Sequence, residues 1–216
     1  MCIPQSCGGI PAASCWPCKE PAHLGTLLLQ LASLEYEAGN LEGAISQCRA
    51  AAKQLPKADH PRWATQARFN LANYLMRAGR FPQAWKALEA ARPGLVHVAH
   101  AEQVRVAWVE AAILRGLGRV AEAEAGYQKA RRGFVRLRRD FSAALATLEL
   151  ALLLLEQGRT AEVAALALEV HPIFEREGVH REAQAAMLLL RDAAAQERLT
   201  AFGVAQLLGR LQQGQE

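Results

Sequence analysis

From residue 22 onward, apolar side chains return every third or fourth position in long runs, the signature of helices that bury one face. The runs predict helices over 22–38 and 41–55, 61–78 and 81–97, 101–117 and 120–137, 140–157 and 160–176, then 179–197 and a terminal 200–213. Connections this short make neighbouring helices antiparallel. Pro82 falls in a first turn, where its missing N–H costs nothing. Pro93 and Pro172 fall inside second helices, and each predicts a kink or an early end there, because an interior proline removes a backbone hydrogen bond and crowds the preceding turn.

The helices come in pairs that repeat. Gly39, Gly79, Gly118 and Gly158 are 40, 39 and 40 residues apart. Each stands where a first helix ends, the place for a residue that adopts a left-handed backbone without a Cβ penalty. Seven residues before each glycine is an alanine (Ala32, Ala72, Ala111, Ala151), and five after it a small or β-branched residue (Ala44, Ala84, Ala123, Val163). Small side chains at both slots let two antiparallel helices approach closely. Each segment therefore reads as a helix hairpin. The segment beyond Gly178 keeps the period without the glycine, as a unit closing the array would.

Aligned on the glycines, LASLEYEAGNLEGAI, LANYLMRAGRFPQAW, EAAILRGLGRVAEAE and LALLLLEQGRTAEVA share one pattern of large and small residues. The pattern resembles the tetratricopeptide (TPR) repeat over about residues 22–177. Two features depart from it. The period is near 40, and Glu35, Leu75, Leu114 and Leu154 stand where an aromatic is usual. The longer period looks like that of repeat regions in bacterial regulatory and signalling proteins. The resemblance implies an all-α, right-handed α-solenoid of about five hairpins with a terminal capping helix, acting as a protein-binding or peptide-binding scaffold.

It also implies a site. In such arrays the first helices line a concave groove, and ligand-facing positions counted back from the glycines give a named set: Tyr36 in the first hairpin, Phe69, Asn73 and Arg77 in the second, and Arg105, Trp108 and Arg115 in the third. The fourth hairpin offers Leu145, Leu148, Leu152 and Leu155 at these positions and is expected to bury them, leaving the N-terminal half of the groove open. A full clamp for a peptide's terminal carboxylate is not expected, because Leu29 and Val109 occupy slots that need charge.

Composition agrees with an all-helical chain: 51% of the 216 residues are apolar and only 6% aromatic. The net charge of +4 is too small to define a partner. No apolar run is long enough to span a bilayer and no secretory leader is recognisable, so a cytoplasmic protein is expected. Pro4, Pro11, Pro17 and Pro21, four of the nine prolines, and four of the five cysteines fall in or just after residues 1–20, which read as a poorly ordered lead-in to a repeat domain over 21–216. Cys2, Cys7, Cys15 and Cys18 form C-x4-C-x7-C-x2-C, whose last pair alone has the gap that suits one metal. A zinc site there, with His23 as a substitute ligand, is the metal alternative; no metal or cofactor is the expectation. His97 and His100 read as a surface pair on one helix face. Arg131, Arg132, Arg136, Arg138 and Arg139 close a second helix, where the dipole favours cations. A nucleic-acid surface is the alternative reading of that stretch. No phosphate loop, dinucleotide fingerprint or nucleophile elbow occurs, so the chain is not expected to be an enzyme.

Deleting residues 1–20 is expected to leave the melting temperature nearly unchanged. A loss of several degrees, or zinc released on unfolding, would make the cysteine segment part of the fold.

Overall fold

The computed structural model describes residues 20–55 and 61–166. Seven complete helices follow one another: α1 (Glu20–Glu37), α2 (Leu41–Gln54), α3 (Pro61–Arg77), α4 (Phe81–Leu95), α5 (His100–Gly116), α6 (Val120–Arg136) and α7 (Asp140–Glu156). An eighth begins at residue 160 and is described to 166. No strand occurs among the described residues. The fifth hairpin, the terminal helix, Pro172 and the cysteines at 2, 7, 15 and 18 lie outside them.

Gly39, Gly79, Gly118 and Gly158 have φ of 76°, 70°, 74° and 73°, so the repeat's glycine is there for its backbone. At each, the turn closes with the same pair of bonds: Gly118 N–H donates to Arg115 O (3.0 Å) and Arg119 N–H to Leu114 O (2.9 Å). The α6–α7 connection copies this geometry without glycine. Arg138 takes φ 54°, and Arg139 N–H reaches back to Phe134 O.

The size-restricted slots are all buried. Ala32, Ala44, Ala72, Ala84, Ala111 and Ala123 have no exposed surface, and Ala151 and Val163 almost none. Between α5 and α6 the approach is close at Ala111, where a Cβ placed on Gly126 would sit 2.8 Å from that of Ala111. Hairpins then stack on one another, α2 against α3, α4 against α5 and α6 against α7. The first helices of successive hairpins also touch, α1 to α3, α3 to α5 and α5 to α7, whereas the second helices α2, α4 and α6 do not meet comparably. Helices that touch on one side and splay on the other curve the stack, which places α1, α3, α5 and α7 on its inner face. Two clusters fill most of the core, one of α1–α4 with Val109 and Ile113, the other of α5–α7 with Val163. In the first, Cys48 is fully buried, and burial pushes its thiol up to about 12, so it packs as an unreactive apolar group.

Pro93 shortens α4, which ends two residues later at Leu95 rather than at 97. This corrects the reading of His97 and His100. His97 lies in the connection and His100 opens α5, so the two do not share a helix face. The residue after each glycine starts the second helix, but only Asn40 caps it with a side chain, accepting from Gly43 N–H at 3.0 Å. Arg80, Arg119 and Arg159 make no such cap; Arg80 pairs with Glu42 and Arg159 with Glu124, each in the preceding hairpin. Among the described residues no helix is long and apolar enough to cross a membrane.

Ala111→Leu is expected to force α5 and α6 apart and cost roughly 1–3 kcal/mol. Ala161→Leu, at an exposed position of the eighth helix, should change stability by at most about 0.5 kcal/mol. Urea unfolding of the two variants checks this; equal effects would mean that the glycine register does not set helix spacing.

Candidate functional site

The inner face is built from side chains that α1, α3, α5 and α7 project at helical intervals. Most of the aromatic and basic residues expected there engage one another across hairpin boundaries. Tyr36 of α1 stacks on Tyr74 of α3 with ring centroids 5.1 Å apart, and the Arg77 guanidinium lies over the Tyr36 ring, 5.2 Å from its centroid. Phe69 of α3 is only 2% exposed and carries Arg105 of α5 above it at 5.1 Å. Trp108 of α5 meets Phe134 edge-on at 5.8 Å and donates its indole N–H to Glu149 of α7 at 3.0 Å. Arg115 grips Glu156 of α7 with two N–H groups, at 2.6 and 3.3 Å.

These contacts separate the seven residues into two groups. Tyr36, Phe69, Trp108 and Arg115 are committed to neighbouring helices, so their first physical role is to join hairpins. Asn73 is half-buried and has no hydrogen-bond partner among the described residues, and Arg77 is exposed with no ion pair there. Arg105 keeps an ion pair to Glu102 at 2.8 Å, but its Nε is buried without a partner. Asn73, Arg77 and Arg105 are therefore the members with hydrogen-bonding capacity left to offer. In the fourth hairpin Leu145, Leu148 and Leu152 are buried and Leu155 is half-buried.

A cavity of about 550 Å³ opens beside this face, between the start of α3 and the start of α5. Phe69, Leu95 and Val98 supply apolar lining, and Arg62, Gln66, His97 and Glu102 supply polar groups. Thr65 shapes it from α3, with its hydroxyl donating to Pro61 O at 2.8 Å. Gly94 of α4 lies so close to Thr65 that any Cβ there would collide with the threonine side chain. The early end of α4 at Pro93 is what brings Leu95, His97 and Val98 around the cavity, a consequence that helical periodicity alone does not reveal.

A second feature not anticipated from sequence is the carboxylate of Glu149. Burial pushes it up from its ordinary range, against hydrogen bonds from Tyr127 and Trp108 and the charges of Arg115 and Arg77. Tyr127, almost wholly buried beside it, is raised well above the usual phenol range, chiefly by burial and then by the Glu149 charge. The only charge between Phe141 and Leu155 is this glutamate, which was the signal for it: a single carboxylate in a leucine helix must find partners when that helix is buried. In the arginine stretch, Arg132, Arg136, Arg138 and Arg139 are exposed and Arg131 is half-buried. Among the described residues no three His, Cys, Asp or Glu side chains come together as a metal site would require.

Neither a protein-family model nor a curated protein matches the sequence. Solved structures match its shape. A Rap protein, crystallised in complex with Competence and Sporulation Factor, superposes with a TM-score of 0.70 over 90% of this chain at 14% identity. The chain spans 55% of that Rap protein's length. BtubC (BKLC) from P. vanneervenii gives a TM-score of 0.64 at 21% identity, covering 90% of this chain and 83% of its own. TPR-like repeats assigned to a kinesin light chain of Podosopora anserina give 0.65 at 17% identity, covering 89% and 95%.

Because the Glu149 carboxyl is raised in the folded state, folding takes up a proton there more readily than the unfolded chain does. The associated stability is present below the ordinary carboxylate pKa and is lost as pH rises through the folded value. Wild type should therefore gain stability relative to Glu149→Gln as pH falls from 7 toward 5, measured by urea unfolding at each pH. A difference that shrinks over that range would show that the arginines, and not burial, dominate the site. The glycine-anchored hairpins and these three likenesses agree: the chain has the fold of a TPR-like helical repeat protein.

Proposed function

We propose that the inner face of the first three hairpins binds a peptide or an extended protein segment, and that the chain is a non-enzymatic, cytoplasmic scaffold or sensing module of a bacterial regulatory system. The observation that carries this reading is the cavity of about 550 Å³ floored by Phe69 and rimmed by Arg62, Gln66, His97 and Glu102. An apolar floor with a few polar groups suits one anchoring side chain of a ligand. Beyond it along the same face stand Asn73, whose amide has no described partner, and the exposed Arg77. A side-chain amide free to both donate and accept matches a peptide backbone, and a guanidinium matches a carboxylate. The Rap protein of similar shape, with its bound factor, supports the reading by fold analogy.

Selection from a random peptide library on the immobilised full chain tests it. Selected peptides should lose about 5-fold to 30-fold in affinity on Asn73→Ala or Arg77→Ala, the effect of one or two hydrogen bonds. Arg132→Ala, in an exposed part of α6, should leave affinity unchanged. Failure to select any peptide, or equal binding by all three variants, would refute the groove assignment.

A further inference from the structure

Lys129, Arg132 and Arg136 follow one another at intervals of three and four residues, so they share one side of α6, and all three are exposed. Arg138 and Arg139, also exposed, continue the row past the end of the helix. At the same distances from its glycine the second hairpin carries Ala90, Pro93 and His97, exposed as well, and α2 carries Ala50 and Lys53. The repeat turns this side outward without requiring a row of cations on it. No acidic residue occurs from Ala125 to Arg139. Asp140 follows, but it is buried, and its Oδ2 has no hydrogen-bond partner among the described residues. Elsewhere Arg80, Arg92, Arg115, Arg119 and Arg159 each hold a carboxylate. The five cations of the row hold none among the described residues.

This arrangement is unfavourable for the chain alone. Like charges three or four residues apart on a helix repel. The helix dipole favours cations in the last turn, which accounts for Arg136 but not for Lys129 or Arg132. Arg138 takes φ 54°, a left-handed backbone that the turn inside each hairpin leaves to glycine.

We propose that this side of α6 docks an acidic segment of a partner protein, whose carboxylates supply the compensation that the chain itself lacks. Charge complementarity selects the occupant. Guanidinium groups pair two-pronged with carboxylates, and cations about 5–6 Å apart along a helix match carboxylates repeated at helical intervals. An acidic protein segment fits better than a nucleic acid because the row has no platform for bases: Phe134 is buried and Phe141 half-buried. The row lies on a second helix, apart from the first helices that form the inner face, so the proposal does not rest on peptide binding in the groove.

Fluorescence anisotropy with the full chain tests it, using a labelled alanine-based peptide that carries glutamates at alternating intervals of three and four residues. At about 20 mM salt the peptide should bind with a dissociation constant on the order of 100 µM, and about 300 mM salt should weaken binding at least tenfold. The same peptide with glutamines in place of the glutamates should not bind. Lys129→Glu and Arg136→Glu, each checked for unchanged circular dichroism, should weaken binding at least about fivefold; Lys129→Gln and Arg136→Gln replace them if a reversal disturbs folding. Arg49→Glu, the same change of charge at an exposed position of α2, should cost less than about twofold. Asn73→Ala should change nothing, which separates this surface from the groove. No binding at low salt overturns the proposal. Equal losses in all the charge reversals reduce the attraction to net charge and overturn it too. Tighter binding of duplex DNA or single-stranded RNA than of the peptide, weakened by the α6 variants, would make the row a nucleic-acid surface and overturn it as stated.

Discussion

Close approach of paired helices at Ala32, Ala72, Ala111 and Ala151 governs the geometry of everything else in the chain. Each alanine is buried, and each faces a second helix whose own small residue, from Ala44 to Val163, is buried in turn. Fixing the distance within a hairpin leaves only the stacking between hairpins to vary. That stacking draws the first helices together and lets the second helices splay. The inner face is the product of this asymmetry: Tyr36 reaches Tyr74, Arg105 reaches Phe69, and Arg115 reaches Glu156 only because their helices are neighbours on the short side of the curve.

The inner face changes character along its length. Between the first two hairpins its contacts are ring on ring and cation on ring, at the surface, where each is worth about 1 kcal/mol. Between the third and fourth they become Trp108 and Tyr127 converging on a carboxylate whose own charge is disfavoured by burial. A buried carboxylate held by several donors resists rearrangement, since losing any partner leaves a desolvated charge. The C-terminal part of the described face is thus the rigid part. Asn73, Arg77 and the Phe69 cavity stand in the part whose contacts are easier to exchange for those of a ligand.

The fold was legible because it repeats. Four glycines with one backbone conformation and four alanines with one packing duty produce a period that survives the loss of the usual aromatic. Helix ends were legible within a few residues for the same reason, since turn chemistry is local. What periodicity hid was anything that depended on a neighbour one repeat away. Phe69 and Trp108 stand at ligand-facing positions, yet nothing in the sequence says that Arg105 covers one and Glu149 ties down the other. The cavity was hidden differently: Pro93 announced an early helix end, but only the path of the chain from Leu95 to Ala99 shows that the shortened helix leaves room beside Phe69.

In a one-dimensional stack, each hairpin feels chiefly the hairpins beside it, so the ends and the inner face answer to different constraints. The inner face must keep some groups unpaired if it is to bind, and Asn73 is one that it keeps. On α1, by contrast, Leu24, Leu27, Leu31 and Leu34 are apolar and exposed. A substitution at one would not disturb the other: Leu27 and Asn73 lie on different helices, and the hairpin core of Ala32, Ala44 and Ile45 stands behind the first while the Phe69 and Ala72 packing stands behind the second. The groove on the curve and the outer surface of α1 are therefore separable features of the same repeat. The feature they share is the spacing that small residues impose on each hairpin.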